Sequence, residues 1–254
     1  MRDHPRLRFA FWLGMGLAAV GLVWMFTPPR DVDASYQPWV QRPGYGRRGP
    51  RMLIDEAHGN THTAQGVYSP LAKLYARDGY RVSRGRQRLF RDLLEPYQVL
   101  VIANPAARLE AEEVNAVRSW VGAGGGLLLI AGSPASRPLA AEFGAAVGEA
   151  IEPARIDRSA PNHPVWTGRE NYDRPVQRLL LFPGPSMRVQ EPAVELAHSR
   201  AVAIEAGSGR VVVLTDADAF AARRVNGQRL GINTTDVDNS QFALNVAHWL
   251  SRLI

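Results

Sequence analysis

Residues 98–131 read QVLVIANPAARLEAEEVNAVRSWVGAGGGLLLIA, and this stretch decides the fold. Gln98–Ala103 is apolar after its first residue and does not alternate, the pattern of a strand covered on both faces. Leu109–Val121 then sets Val114, Val117, Trp120 and Val121 at helical spacing. Gly124–Gly126 interrupt the helix, and Leu127–Ala131 makes a second buried strand. Two buried strands joined through a helix form a βαβ unit, whose strands run parallel.

The same alternation extends in both directions. Upstream, Arg51–Ala57 is a short apolar run with a polar end, and Ser69–Asp78 is a helix with Pro70 in its first turn. Gly79 closes that helix, and Tyr80–Ser83 is a short strand. Downstream, Pro138–Phe143 is a short helix ended by Gly144. Ala201–Glu205 and Arg210–Thr215 flank the turn at 207–209 and predict a β-hairpin. The last helix, from Asn239 to Leu253, has Asp238 at its N-cap and Gln241 three residues on, the spacing of a capping box. Its apolar face is Phe242, Val246, Trp249, Leu250 and Leu253. Residues 148–199 are richer in proline and predict a β-rich insertion or edge. The expected fold class is α/β: a three-layer sandwich around a mostly parallel sheet, of the amidotransferase-like or flavodoxin-like kind.

Ahead of this domain the chain changes character. Phe9 to Thr27 is nineteen residues without a charge. As a helix it would be about 28 Å long, close to the hydrocarbon thickness of a bilayer. Trp12 and Trp24 lie near its two ends, where interfacial aromatics belong, and Pro28 and Pro29 stop it. No small-x-small cleavage site follows, so the expectation is a retained anchor. Arg2, Arg6 and Arg8 precede the run, against Arg30 and Arg42 after it, which places the N-terminus in the cytoplasm. The organisation expected is a cytoplasmic stub (1–8), a transmembrane helix (9–27), a Pro/Gly/Arg-rich linker (28–50) and an α/β domain (51–254). That puts the protein in the inner (cytoplasmic) membrane as a single-pass protein, with its domain on the periplasmic or extracellular side.

Composition trims the function classes. The net charge is +6, but of 30 basic residues only Lys73 is lysine, and the arginines are spread along the chain. No basic tract with interleaved aromatics marks a phosphate-tracking surface, so nucleic-acid binding is not expected. Cysteine is absent, which removes disulfides, thiolate metal sites and a cysteine nucleophile.

Five segments carry a family resemblance: LIDEAHGN at 53–60, VLVIANP at 99–105, GAGGGLLLIAG at 122–132, GRVVVLTDADAF at 209–220 and DNSQFALNVAHWL at 238–250. Together they resemble the DUF4350 family, over roughly residues 51–254. That family is similar to the class I glutamine-amidotransferase-like superfamily, alongside the intraflagellar-transport 52-type and gliding-type ABC-auxiliary domains. The resemblance implies a fold with a cleft, in membrane-associated proteins that often accompany MoxR-type ATPase systems. Catalytic members of the superfamily use a nucleophilic cysteine on a strand-to-helix elbow with a partner histidine. The cysteine-free chain departs from that pattern, which excludes glutaminase chemistry of that type.

In an open parallel sheet, ligands bind beyond the carboxyl ends of the strands, where strand order reverses. The polar residues expected there are Asp55, Glu56, His58, Asn60 and His62 after the first strand, Asn104 and Ser133 after the next two, and Asp216 and Asp218 after VVVLT. Asp238 and Asn239 open the last helix, whose start faces the same rim.

Three readings compete for this rim. Asp55, His58, His62 and Asp216 have the donor chemistry for zinc or manganese. Ser133 as nucleophile with His58 as base would make a serine-type hydrolase, although Ser133 lies in GSP and not in a G-x-S-x-G elbow. Alternatively, Asp55, Asn60, Asn104, Asp216 and Asp218 bond loop amides and hold turns. His163 and His198 read as surface or packing residues, and His248 as a satisfied core residue. Gly124–Gly126 run from helix to strand, the reverse of a phosphate cradle. The leading expectation is a membrane-anchored, non-catalytic ligand-binding or protein-assembly module in the cell envelope, without a cofactor. The runner-up is a metal-dependent or serine-type hydrolase using the same rim.

Overall fold

The computed structural model describes residues 31–46, 48–157, 160 and 162–254. The segment expected to span a membrane, 9–27, lies outside the described residues. Among the described residues no helix is long and apolar enough to cross a bilayer.

The elements in chain order are β1 (Arg51–Asp55), α1 (Ser69–Arg77), β2 (Arg81–Gly85), α2 (Arg91–Leu94), β3 (Val99–Ala103), α3 (Ala111–Gly122), β4 (Gly126–Ile130) and α4 (Arg137–Glu142). They continue with β5 (Ala145–Ile151), β6 (Ala154–Asp157), α5 (Pro164–Thr167), β7 (Arg178–Leu181), β8 (Gly184–Val189), β9 (Val194–Ala197), β10 (Ala201–Ala206) and β11 (Gly209–Leu214). The last are β12 (Ala222–Val225), β13 (Gln228–Gly231) and α6 (Asn239–Leu250).

Seven strands make the main sheet in the order β2-β1-β3-β4-β11-β10-β9. β2, β1, β3, β4 and β11 are mutually parallel, and the β10–β11 hairpin adds an antiparallel edge. The expectation of a mostly parallel sheet is met. The chain passes from β1 outward to β2 and then returns to the other side of β1 for β3. The strand order therefore reverses between β1 and β3, where an α/β sheet opens a crevice.

Strand alternation divides the core in two. Met52, Ile54, Val99, Val101, Leu128, Ile130, Val212 and Leu214 face α1, α5 and α6. Leu53, Leu100, Ile102, Leu127, Leu129, Val211 and Val213 face α3 and α4. Both faces are covered, which is why these strands read as unbroken apolar runs. At Gly126 the sheet and α6 come so close that a Cβ would lie 2.4 Å from the Leu250 carbonyl oxygen.

Residues 148–199 form the β-rich addition: antiparallel pairs β5–β8 and β6–β7, and β9 at the sheet edge. Of the segment 28–50 read above as a linker, the described residues 31–46 and 48–50 lie along the domain and carry no repeating pattern because single side chains hold them. Asp33 is buried and accepts from Asn233 Nδ2 at 2.9 Å, the Tyr36 hydroxyl donates to the Ile232 carbonyl, and Tyr45 shares a hydrogen bond with Ser251. With this arm on its outer side, α6 is buried well beyond the apolar face the sequence outlines.

The expected capping box on α6 does not form. The Asp238 side chain accepts no bond from its own helix. Its carboxylate takes the Gln177 and Arg178 amides at 2.8 and 3.1 Å, and Arg174 at 2.5 Å, while Gln241 donates to Asn245. Backbone donors at the mouth of β7 compete successfully for the oxygens. The capping box that does form belongs to α3, between Glu110 and Glu113.

Candidate functional site

The carboxyl ends of four adjacent strands deliver the polar rim. β1 ends on Asp55, β3 runs into Asn104, β4 into Ser133, and β11 into Asp216. At the switch point the loop after β1 folds back on itself. Asp55 is fully buried, and its Oδ2 meets His58 Nδ1 at 2.9 Å and Asn60 Nδ2 at 3.0 Å. Asn60 in turn accepts the His58 amide and donates to the Ala103 carbonyl at the end of β3. The His58 carbonyl takes the amides of Ala106 and Ala107. This loop is a closed hydrogen-bonded unit, in keeping with its Gly59-Asn60-Thr61 sequence.

The other face of the His58 ring meets a residue that the sequence did not single out. His58 Nε2 lies 3.1 Å from Glu113 Oε1. Glu113 is buried on α3 and also accepts the Leu89 and Glu110 amides. Both ring nitrogens thus face carboxyl groups, an arrangement that an imidazolium donating from both nitrogens satisfies. Burial works against that charge, but Asp55 and Glu113 outweigh it and raise the His58 pKa above 6.5. Glu113 is itself buried, yet two backbone amides and the charge on His58 lower its pKa. The result is a clamped charge triad with no free lone pair on the imidazole.

The remaining rim residues are similarly engaged. Asn104 adopts φ 44° and its Oδ1 accepts the Gly132 amide, while its carbonyl accepts the Thr61 amide. The Ser133 hydroxyl donates to the Pro105 carbonyl at 2.7 Å, and no bond joins it to His58. Asp216 accepts three backbone amides, from Phe182, Asp218 and Ala219. Burial still raises its pKa to about 6, with the Phe182 amide and the Arg200 guanidinium pulling the other way. Arg200, 1% exposed, reaches Thr215 Oγ1 and the Phe182 carbonyl, and sits 3.9 Å from Asp216.

His62 Nε2 stands 3.5 Å from Asp218, whose carboxylate is held by Arg223. Glu56 turns the other way, toward Arg84 on β2 and the Ala64 amide. Asn239 clasps the Leu180 backbone with both its oxygen and its amide.

The structure thus gathers Asp55, His58 and Asn60 into one cluster, with Asn104 beside it, and links His62 to Asp218 across the rim. Asp238 and Asn239 serve the β7 backbone, and Ser133 stands apart from the imidazole. Glu113, Thr215 and Arg200 were missed. The Glu110-x-x-Glu113 capping spacing was a signal for the first; nothing in the sequence marks the other two. Among the described residues no group of three or more His, Asp or Glu side chains is arranged to hold a metal ion.

Outside the rim, His248 is a core residue as expected, but only half satisfied: Nε2 lies 2.5 Å from Asp78, while among the described residues the buried Nδ1 has no hydrogen-bond partner. His163 caps α5 by accepting the Val165 amide, and burial together with Arg210 lowers its pKa to about 4. His198 is exposed.

A reversed strand order and a parallel sheet covered on both faces define an open α/β fold, and its rim carries no cysteine. The chain belongs to the family described as domain of unknown function DUF4350, which it matches over residues 63–229. No curated protein matches its sequence. Among solved structures, the chain is similar to the mmIFT52 N-terminal domain, with 15% identity and a TM-score of 0.63 over 79% of this chain and 97% of that one. It is also similar to a ThuA-like protein from Bacteroides uniformis ATCC 8492, at 11% identity and a TM-score of 0.52, covering 84% and 94% of the two chains. A ThuA-like protein from Parabacteroides merdae ATCC 43184 follows, at 11% identity and 0.50, covering 80% and 90%. At these identities the likeness is one of fold.

Proposed function

We propose that the protein is a membrane-anchored, non-catalytic amidotransferase-like domain that works as a ligand-binding or protein-assembly module in the cell envelope. One observation carries the non-catalytic reading: His58, the imidazole best placed at the switch point, is clamped between Asp55 and Glu113. A general base needs a free lone pair within reach of a substrate proton, and this ring has none. The absence of cysteine removes the superfamily's nucleophile, and the Ser133 hydroxyl is spent on Pro105. The anchor rests on the charge-free run Phe9 to Thr27, and the side of the membrane on the arginine balance around it. Family resemblance suggests a MoxR-type ATPase system as partner.

The test uses the full-length protein in detergent, assayed for ester, amide, peptide and phosphate hydrolysis beside His58→Ala. No turnover above buffer is expected from either. Reproducible hydrolysis that disappears in His58→Ala would overturn the reading. Crosslinking in intact membranes should recover a defined envelope partner, and recovery of none would count against an assembly role.

A further inference from the structure

We infer that the β12–β13 hairpin is a foot that rests on anionic phospholipid headgroups of the membrane in which the chain is anchored. The inference rests on the anchor reading above. β12 and β13 read ARRV-NG-QRLG, with Asn226 and Gly227 both at positive φ in the two-residue turn. The hairpin contains no acidic residue, and Arg224 through Arg229 are all exposed. Arg224 and Arg229 are direct cross-strand partners, so their side chains share one face. Like charges in that register repel, and the pairing is at odds with stability unless something negative lies opposite.

The acids nearby do not supply enough. Arg223 takes Asp31 and Asp218. Arg229 has Asp33 3.6 Å away, but that carboxylate is already bonded to Ser35 and Asn233. Among the described residues Arg224 has no carboxylate within ion-pair reach. The tip also exposes Val225, an apolar side chain between the two arginines in sequence.

Residues 31–33 run antiparallel beside β12: Val32 bridges Arg223, the Asp33 amide donates to Ala222, and the Arg224 amide donates to Asp31. Followed backward from Asp33 to Asp31, the chain therefore heads for the hairpin tip. Only four peptide steps separate Asp31 from Thr27, the end of the apolar run, and they span at most about 14 Å. An anchor that ends at Thr27 would therefore leave the arginine face close enough to meet lipid headgroups. Guanidinium groups bind phosphate well, and basic residues held near an anionic surface strengthen attachment additively.

The absence of cysteine makes a clean test possible. A nitroxide on Gln228→Cys, in the full-length protein in lipid nanodiscs, reports accessibility to an aqueous nickel relaxant. A second label on Ser208→Cys, in the turn before β11, serves as the distant control. With phosphatidylglycerol added to phosphatidylcholine, the Gln228→Cys label should become shielded while the control stays accessible, and salt should reverse the shielding. Arg224→Gln and Arg229→Gln, both on an exposed surface, should lower the docked-to-free ratio roughly fivefold for each arginine removed.

Equal accessibility in both lipid mixtures, with the protein still resistant to alkaline carbonate extraction, overturns the foot and leaves the anchor standing. Release by carbonate overturns the anchor and the foot together. Dipolar broadening between labels would give the hairpin to a second copy of the chain and overturn the lipid assignment.

Discussion

Removing the His58 side chain is the sharpest perturbation of the rim. His58→Ala would leave Asp55, 0% exposed, and Glu113, 2% exposed, facing each other across a hole without their cation. Breaking a buried charge pair by deleting one partner costs about 3–5 kcal/mol. For a domain of this size each kcal/mol moves the melting temperature by about 2–4 °C, so a fall of roughly 6–20 °C is expected. The pH dependence carries a further signature. The His58 pKa is raised above 6.5 on folding, so its stabilisation is complete below 6.5 and is lost as pH rises through the higher folded value. Glu113 has a lowered pKa, so its contribution is present above 4.5 and is lost as pH falls through the folded value. The gap between wild type and variant should therefore be widest between these two reference values and narrow above them. Thermal unfolding followed by circular dichroism, on full-length protein in one detergent across pH, measures both effects. A loss below about 1 kcal/mol, or a gap that widens as pH rises above 7, would refute the clamp, since neither fits a buried pair broken at one end.

Three further outcomes follow from the same structure. Asp216 titrates near 6 in the folded protein against 3.8 ordinarily, so it favours folding most below pH 4 and loses that contribution as pH rises to 6. Wild type should lose about 3 kcal/mol relative to Asp216→Asn across that interval, at about 1.4 kcal/mol per pH unit, and parallel profiles would contradict the raised value. Gly126→Ala pushes a methyl against the Leu250 carbonyl and should cost about 1–3 kcal/mol in a urea titration; a neutral result would mean that α6 and β4 are not packed so closely. Asp238→Ala strips two amides and an arginine of their acceptor and should cost about 1–3 kcal/mol, whereas Gln241→Ala should be near neutral. Equal costs would reinstate the capping box.

Much of this fold was legible because its sheet is covered on both sides. β3 and β4 are buried along their whole length and β1 and β11 along most of theirs, so each announces itself as an apolar run that an amphipathic helix or an edge strand would not produce. The rim was legible by the same token, since Asp55, Asn104, Ser133 and Asp216 are the polar residues where those runs stop. What escaped the sequence depends on distance. Glu113 meets His58 from 55 positions away, on a helix whose acidic residues look like any solvated first turn. Arg200 is buried against Thr215 and Phe182, but in sequence it is one arginine of many. The arm at 31–50 is fixed by Asp33, Tyr36 and Tyr45 acting singly, which leaves no period to detect. The Asp238 cap failed for a related reason, because donors from β7 outbid the helix for its oxygens.

Whether the rim is a clamp or a catalyst comes down to the protons on one imidazole. The chain has six histidines, few enough for a ring-nitrogen NMR spectrum of the full-length protein in micelles, with His58→Gln giving the assignment. Both nitrogens of His58 should carry protons at pH 6.5 and hold them as pH is raised past that value. A neutral ring at pH 6.5, with one nitrogen bare, would give His58 the lone pair of a general base and contradict the account.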